Sequence, residues 1–169
     1  MTREATVTQR PPQTATQVAP GPQVPRRSTI LMAEDDPDDR LLAHDAHREA
    51  QLTSEMVFVE DGEDLMDYLC RRGKYVGLRQ EPLPSLILLD LNMPRKDGRE
   101  ALREIRGDPR LRRIPVIVMT TSKSEEDVLR SYEMGANSYI AKPVSYDSLV
   151  AVMRVLGQYW LTVVALPDG

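Results

Sequence analysis

The chain has 169 residues, 41% hydrophobic and 28% charged, with a formal net charge of −4. That length suits one domain with its own core, and the negative balance argues against general affinity for nucleic acid. One cysteine, Cys70, rules out an internal disulfide, and no apolar run reaches the roughly 18 residues of a membrane span or forms a signal-peptide core.

Residues 1–28 are rich in Pro, Thr and Gln, and Val7, Val18 and Val24 are their only large aliphatics. Such a segment buries too little apolar area to offset its ordering entropy, so it reads as a disordered tail. From Thr29 strand and helix alternate five times. Ile30–Ala33 is a short apolar strand ending in Glu34-Asp35-Asp36. Pro37 then suits a first helical position with Asp36 as N-cap, opening a helix to about Ala50 that is expected to bury Leu41, Leu42 and Ala46. Met56–Val59 is the second strand. Asp61 caps a second helix, Gly73 is expected at its C′ position, and Lys74–Pro84 is a polar loop.

Leu86-Ile87-Leu88-Leu89 is apolar without alternation, which reads as a strand buried on both faces of a parallel sheet. It runs into Asp90, and Pro94 and Gly98 mark the turn beyond. The third helix covers roughly Arg99 to Arg106. Pro115–Met119 is strand four, ending in Thr120-Thr121-Ser122, and Ser124 opens a fourth helix whose Glu125, Glu126 and Asp127 suit its positive dipole end. Ser138–Ala141 is strand five, followed by Lys142-Pro143, and Ser145 begins a long final helix. Five such units predict an α/β, doubly wound (βα)5 sandwich around a parallel sheet. The expected organisation is a tail over 1–28, one domain over 29–157 and a C-terminal helical extension over 158–169.

Ligands of open α/β sheets bind beyond the carboxyl ends of the strands. Gathered there are Glu34, Asp35 and Asp36 from strand one, Asp90 from strand three, Thr120 from strand four and Lys142 from strand five. Each has an ordinary role available as a cap or a solvated group; their arrival at one rim does not. Carboxylates about 4 Å apart repel by roughly 4 kcal/mol at an effective dielectric near 20, a cost that a divalent cation removes. An all-oxygen set with few protein ligands suits Mg²⁺, which keeps several waters and favours phosphate oxygens.

Glu34-Asp35, Asp90 with Met93-Pro94 and Asp97-Gly98, Thr120, and Lys142-Pro143 resemble the signature of two-component response-regulator receiver domains. Thr120 to Asp127, the long loop before Pro84 and Tyr159 to Val164 are similar to the stand-alone regulators of phytochrome histidine kinases. The resemblance implies a flavodoxin-like sheet in the order 2-1-3-4-5, with a long C-terminal helix. It also implies that Asp90 takes a phosphoryl group from a kinase phosphohistidine. Glu34, Asp35, Asp90 and the backbone carbonyl of Asn92 would hold Mg²⁺, and Lys142 would neutralise charge. Thr120 would bond a phosphoryl oxygen, with Tyr139 the switch aromatic or simply a half-buried strand residue. A cis Lys142-Pro143 bond that aims the lysine is implied as well.

Such a protein is not an enzyme beyond slow Mg²⁺-dependent self-phosphorylation and self-dephosphorylation. Its expected partners are a sensor histidine kinase and a second copy of itself, with neither nucleic acid nor membrane, in the cytoplasm. No output domain follows Lys142, so the signal would leave by protein contact or phosphorelay. A phosphatase of the haloacid-dehalogenase type needs a second Asp where Asn92 stands, and a flavin carrier needs a phosphate loop where Glu34-Asp35-Asp36 would repel phosphate. A phosphate-independent binding module is the remaining alternative. His44 and His47, three apart on helix one, read as a solvated face. The last helix, about Tyr146 to Val164, carries Leu149, Val152, Met153, Leu156, Trp160 and Val163 on one stripe. Beyond Gly157 that stripe either folds back on the domain or joins helix four, strand five and helix five in a homodimer.

Overall fold

The computed structural model describes residues 28–167; the expected tail lies almost wholly outside them, in residues 1–27. Five strands, β1 (Thr29–Ala33), β2 (Glu55–Val59), β3 (Leu86–Leu89), β4 (Val116–Thr120) and β5 (Ser138–Ala141), form one parallel sheet in the order 2-1-3-4-5. The helices are α1 (Pro37–Glu49), α2 (Gly62–Cys70), α3 (Gly98–Gly107), α4 (Glu125–Glu133) and α5 (Tyr146–Gln158). Strand order reverses between β1 and β3, which makes a crevice at their carboxyl ends.

The strands separate their side chains with period two. Leu31, Ala33, Ile87, Leu89, Val116 and Val118 pack with Leu65, Leu69, Leu102 and Ile105 of α2 and α3. Ile30, Met32, Leu86, Leu88, Ile117 and Met119 pack with Ala43, Ala46, Val150 and Met153 of α1 and α5. Every residue of β3 is buried, as its unbroken apolar run requires. At roughly 1.5–3 kcal/mol per fully buried large aliphatic, this strand anchors the residue that follows it.

Several local expectations are corrected. Leu41 and Leu42 are exposed, 60% and 45%, while Ala43, Ala46 and His47 form the buried stripe of α1. His47 is no part of a solvated face: its imidazole is buried and bonds Ser54 Oγ at 3.0 Å. The left-handed residue closing α2 is Arg71, φ 56°, and Gly73 instead opens a 3₁₀ turn, Gly73–Leu78, inside the supposed polar loop. Arg71 is fixed there because its guanidinium donates to the carbonyls of Tyr68, Glu81 and Pro82.

The final helix does not run unbroken to Val164. It is α-helical to Gln158 and continues as one π turn, Tyr159–Val163. Gly157 lets α5 approach the chain after α1, since a Cβ there would lie 2.2 Å from Leu52 Cδ2. Trp160 and Leu161 then pack, half-buried, against the α1–α5 side of the core, while Val163 has turned out to 68% exposure. Among the described residues no helix is long and apolar enough to cross a membrane.

Candidate functional site

Each site residue hangs from backbone that extends the sheet ladder past a strand end. The Glu34 amide donates to Val59 O at 3.0 Å, that of Asp90 to Ala33 O at 3.1 Å, and that of Lys142 to Thr120 O at 2.8 Å. The side chains are therefore held by the sheet and not by loops. Gly98 permits the tight return after Asp90: a Cβ there would sit 2.1 Å from Asp90 O.

Carboxylate oxygens of Glu34, Asp35 and Asp90 come within 4.8 Å of one another. Glu34 and Asp90 are buried, whereas Asp35 is exposed. The Lys142 ammonium stands 2.5 Å from Glu34 Oε2, an ion pair outside hydrogen-bond alignment, and donates to Asp39 at 2.8 Å and Asp90 at 3.2 Å. The lysine and the acids thus meet at one rim as the strand ends foretold. Asp36 does no more than cap α1, accepting from the amides of Asp38 and Asp39. The Asn92 amide donates to Asp90 Oδ1 at 3.3 Å.

Burial pushes the Glu34 carboxyl above its usual range, against the pull of Lys142. For Lys142 burial acts downward, but Asp39, Glu34 and the charge of Asp90 outweigh it and keep the ammonium charged well above its ordinary value. Three carboxylates share one ammonium here and Asp35 stands beside them, which leaves the cluster short of positive charge. An all-oxygen set in that condition fits a hard divalent cation. The Thr120 hydroxyl is fully buried with no hydrogen-bond partner. Leaving such a group unpaired costs about 1–3 kcal/mol, a cost that any acceptor reaching it would remove.

Tyr139 is half-buried, and its hydroxyl donates to the Ser122 carbonyl at 3.0 Å, in the loop after β4. The cis bond implied at Lys142-Pro143 is absent: among the described residues every peptide is trans, and Lys142 reaches Asp90 regardless. Its direction follows from the Thr120 backbone bond and the three acids around it.

Sequence reasoning missed two residues. Asp39 was visible only as a first-turn helix acid, though one turn into α1 places it over the strand-one carboxylates. Arg40 donates to the carbonyls of Glu34 and Asp35 at 2.8 and 3.0 Å and so pins the acidic turn. Nothing in its spacing marked it, because backbone carbonyls leave no trace in a sequence.

The family model described as the response regulator receiver domain matches residues 30–154. The response regulator Rcp1 of Synechocystis sp. (strain ATCC 27184 / PCC 6803 / Kazusa) is 41% identical over 138 residues, 82% of this chain and 92% of that one. The phosphorylated cyanobacterial phytochrome response regulator RcpA superposes with a TM-score of 0.77 at 39% identity, covering 84% of this chain and 99% of the other. The Mn²⁺-bound form of Rcp1 gives 0.75 at 40%, covering 83% and 99%.

Proposed function

The chain belongs to the response regulator receiver domains, and from that membership we propose a stand-alone regulator that accepts a phosphoryl group on Asp90 from a phytochrome-type sensor histidine kinase. The observation that carries the reading is one rim holding three clustered carboxylates, the Lys142 ammonium and the orphan Thr120 hydroxyl. Glu34, Asp35, Asp90 and the Asn92 carbonyl would hold Mg²⁺, which when bound would supply charge neutralisation at the phosphoryl oxygens. Asp90 is the carboxylate nucleophile: its oxygen bonds phosphorus as the bond to the kinase imidazole breaks, and no proton need move to Asp90. Lys142 faces the charge that develops on the phosphoryl oxygens, and Thr120 donates to one of them. Tyr139 reports the change to the loop after β4, to which its hydroxyl is already bonded.

The unit is a receiver over residues 29–157 with an extension over 158–169, working in the cytoplasm as a phosphoacceptor with at most slow self-phosphorylation and self-dephosphorylation. Its output is protein contact or phosphorelay, not nucleic-acid binding. Leu42 and Val144, 45% and 95% exposed, line the same small cleft as Glu34 and Lys142, which suits an apolar helix of the kinase at the mouth of the site. A phytochrome partner is supported by the likeness to the cyanobacterial phytochrome response regulator RcpA.

Labelling with acetyl phosphate tests the reading. Uptake is expected to require Mg²⁺ and to vanish in Asp90→Asn. Uptake unchanged in that variant refutes Asp90 as acceptor, and no uptake by the parent from donor or kinase favours a phosphate-independent binding module. Transfer from phytochrome kinases, in light and in darkness, tests the partner.

A further inference from the structure

Lys142 has a partner that the strand-end pattern does not supply. Asp39 Oδ2 accepts from Lys142 Nζ at 2.8 Å, closer than Asp90 at 3.2 Å. Yet Asp39 is not among the three carboxylates whose oxygens gather within 4.8 Å, so it partners the ammonium and not the cation set. Resting on the receiver reading above, we infer that Asp39 is a positioning residue that holds Lys142 in the resting state and yields it when Asp90 is phosphorylated.

An ammonium has three donors, and Glu34, Asp39 and Asp90 surround it. A phosphoryl group on Asp90 brings up to two negative charges and strong acceptor oxygens, so it draws a donor away from a resident acid. Glu34, whose side chain is 1% exposed, stays with the cation set and cannot turn to water in exchange for the ammonium. The Asp39 side chain is 39% exposed, so water solvates it once it is released. Its backbone amide bonds the Asp36 cap at 3.4 Å, and so α1 fixes the distance over which Lys142 must swing. One hydrogen bond moves from Asp39 to a phosphoryl oxygen; Asp39 forms no covalent bond and keeps its charge.

Asp39 therefore competes with the phosphoryl group, and neutralising it favours the phosphorylated state. The probe is beryllium trifluoride, a phosphoryl mimic, added to the full chain at saturating Mg²⁺ and followed by ¹⁹F resonance. Asp39→Asn is expected to bind it about twofold to fivefold more tightly than the parent, the range a partly exposed ion pair commands. Asp38→Asn removes the same charge from an exposed neighbour that does not touch Lys142, and should leave the affinity unchanged. A crystal structure of the parent complex should have Lys142 on a fluoride and beyond hydrogen-bond reach of Asp39. Equal or weaker binding by Asp39→Asn, equal tightening by Asp38→Asn, or Lys142 still bonded to Asp39 in the complex would each overturn the inference. A parent that takes up neither the mimic nor a phosphoryl group overturns the receiver reading itself.

Discussion

Gly98 is where one atom decides whether Asp90 can occupy its place. Its amide bonds Leu91 O at 2.9 Å, and the space a Cβ would need is filled by Asp90 O and Leu91 Cα, all backbone. No rotamer change relieves that overlap, so Gly98→Ala must push α3 away from Asp90. A loss of at least about 1–3 kcal/mol in a urea titration is expected, with labelling of Asp90 reduced in the protein that remains folded. His47 sets a second residue-scale outcome. Burial, then the charge of His44, lowers its imidazole below the ordinary 6.5. The unfolded chain consequently binds a proton that the folded chain refuses, and the stability from neutral His47 is present above 6.5 and lost as pH falls below it. His47→Gln, which keeps a partner for Ser54, should flatten the fall in urea midpoint between about pH 7.5 and about pH 5.5. An identical slope in both proteins would assign it elsewhere. Glu34, Asp90, Thr120 and Lys142 were legible because each ends a strand, and strand ends are marked by the apolar runs before them. His47 was not, because helix one offers apolar Leu41 and Leu42 as the obvious inward stripe, and only packing on the sheet and α5, with the Ser54 bond, selects Ala43, Ala46 and His47 instead.

Between elements, the loop after β4 is tied down by a chain of polar contacts that begins next to the acceptor turn. Arg99, in the first turn of α3, pairs with Asp127 of α4 at 2.6 Å. Asp127 also accepts from Ser122 Oγ at 2.7 Å, and the Ser122 carbonyl accepts from Tyr139. The Ser122 hydrogen bond and the Arg99 charge hold the Asp127 carboxyl below the usual carboxylate range. α4 buries little else: among its residues Ser131 is buried, while Leu129 and Tyr132 are 61% and 49% exposed. Its position thus depends on this chain more than on apolar area. Asp127→Asn should accelerate amide exchange across residues 121–124 by about tenfold, the equivalent of roughly 1.4 kcal/mol, and leave β1 and β3 unchanged. Unaltered exchange in that loop would leave the chain of contacts without a structural role. The five helices and strands were readable from caps and apolar runs. The α2 ending at Arg71 and the π turn after Gln158 were not, because both depend on distant partners, the Glu81 and Pro82 carbonyls in one case and Leu52 with the core in the other.

At the scale of the whole molecule the end of α5 and the turn after it present two sets of side chains. Trp160 and Leu161 turn toward the α1–α5 core, and with Val164 and Leu166 they roof a groove of about 690 Å³ against Pro82–Ser85 and Ile114–Pro115. Val155, Tyr159 and Val163 recur every fourth residue and stay 63%, 52% and 68% exposed. Leu129 and Tyr132 of α4 add to the apolar surface exposed around β5. Exposed apolar side chains recurring along one helix suit a contact surface, and we propose that a two-fold dimer covers them. The two sets make the proposed dimer separable from the fold. Replacing Tyr159 and Val163 by Glu should give a monomer in sedimentation with the melting temperature and Asp90 labelling of the parent monomer. Trp160→Ala should instead lower the melting temperature by several degrees, since it removes packing on the domain's own core. Truncation after Gly157 removes both sets and should therefore produce a monomer that labels yet melts earlier. An intact chain that sediments as a monomer at tens of micromolar, phosphorylated or not, would leave the exposed strip to another partner and end the dimer proposal.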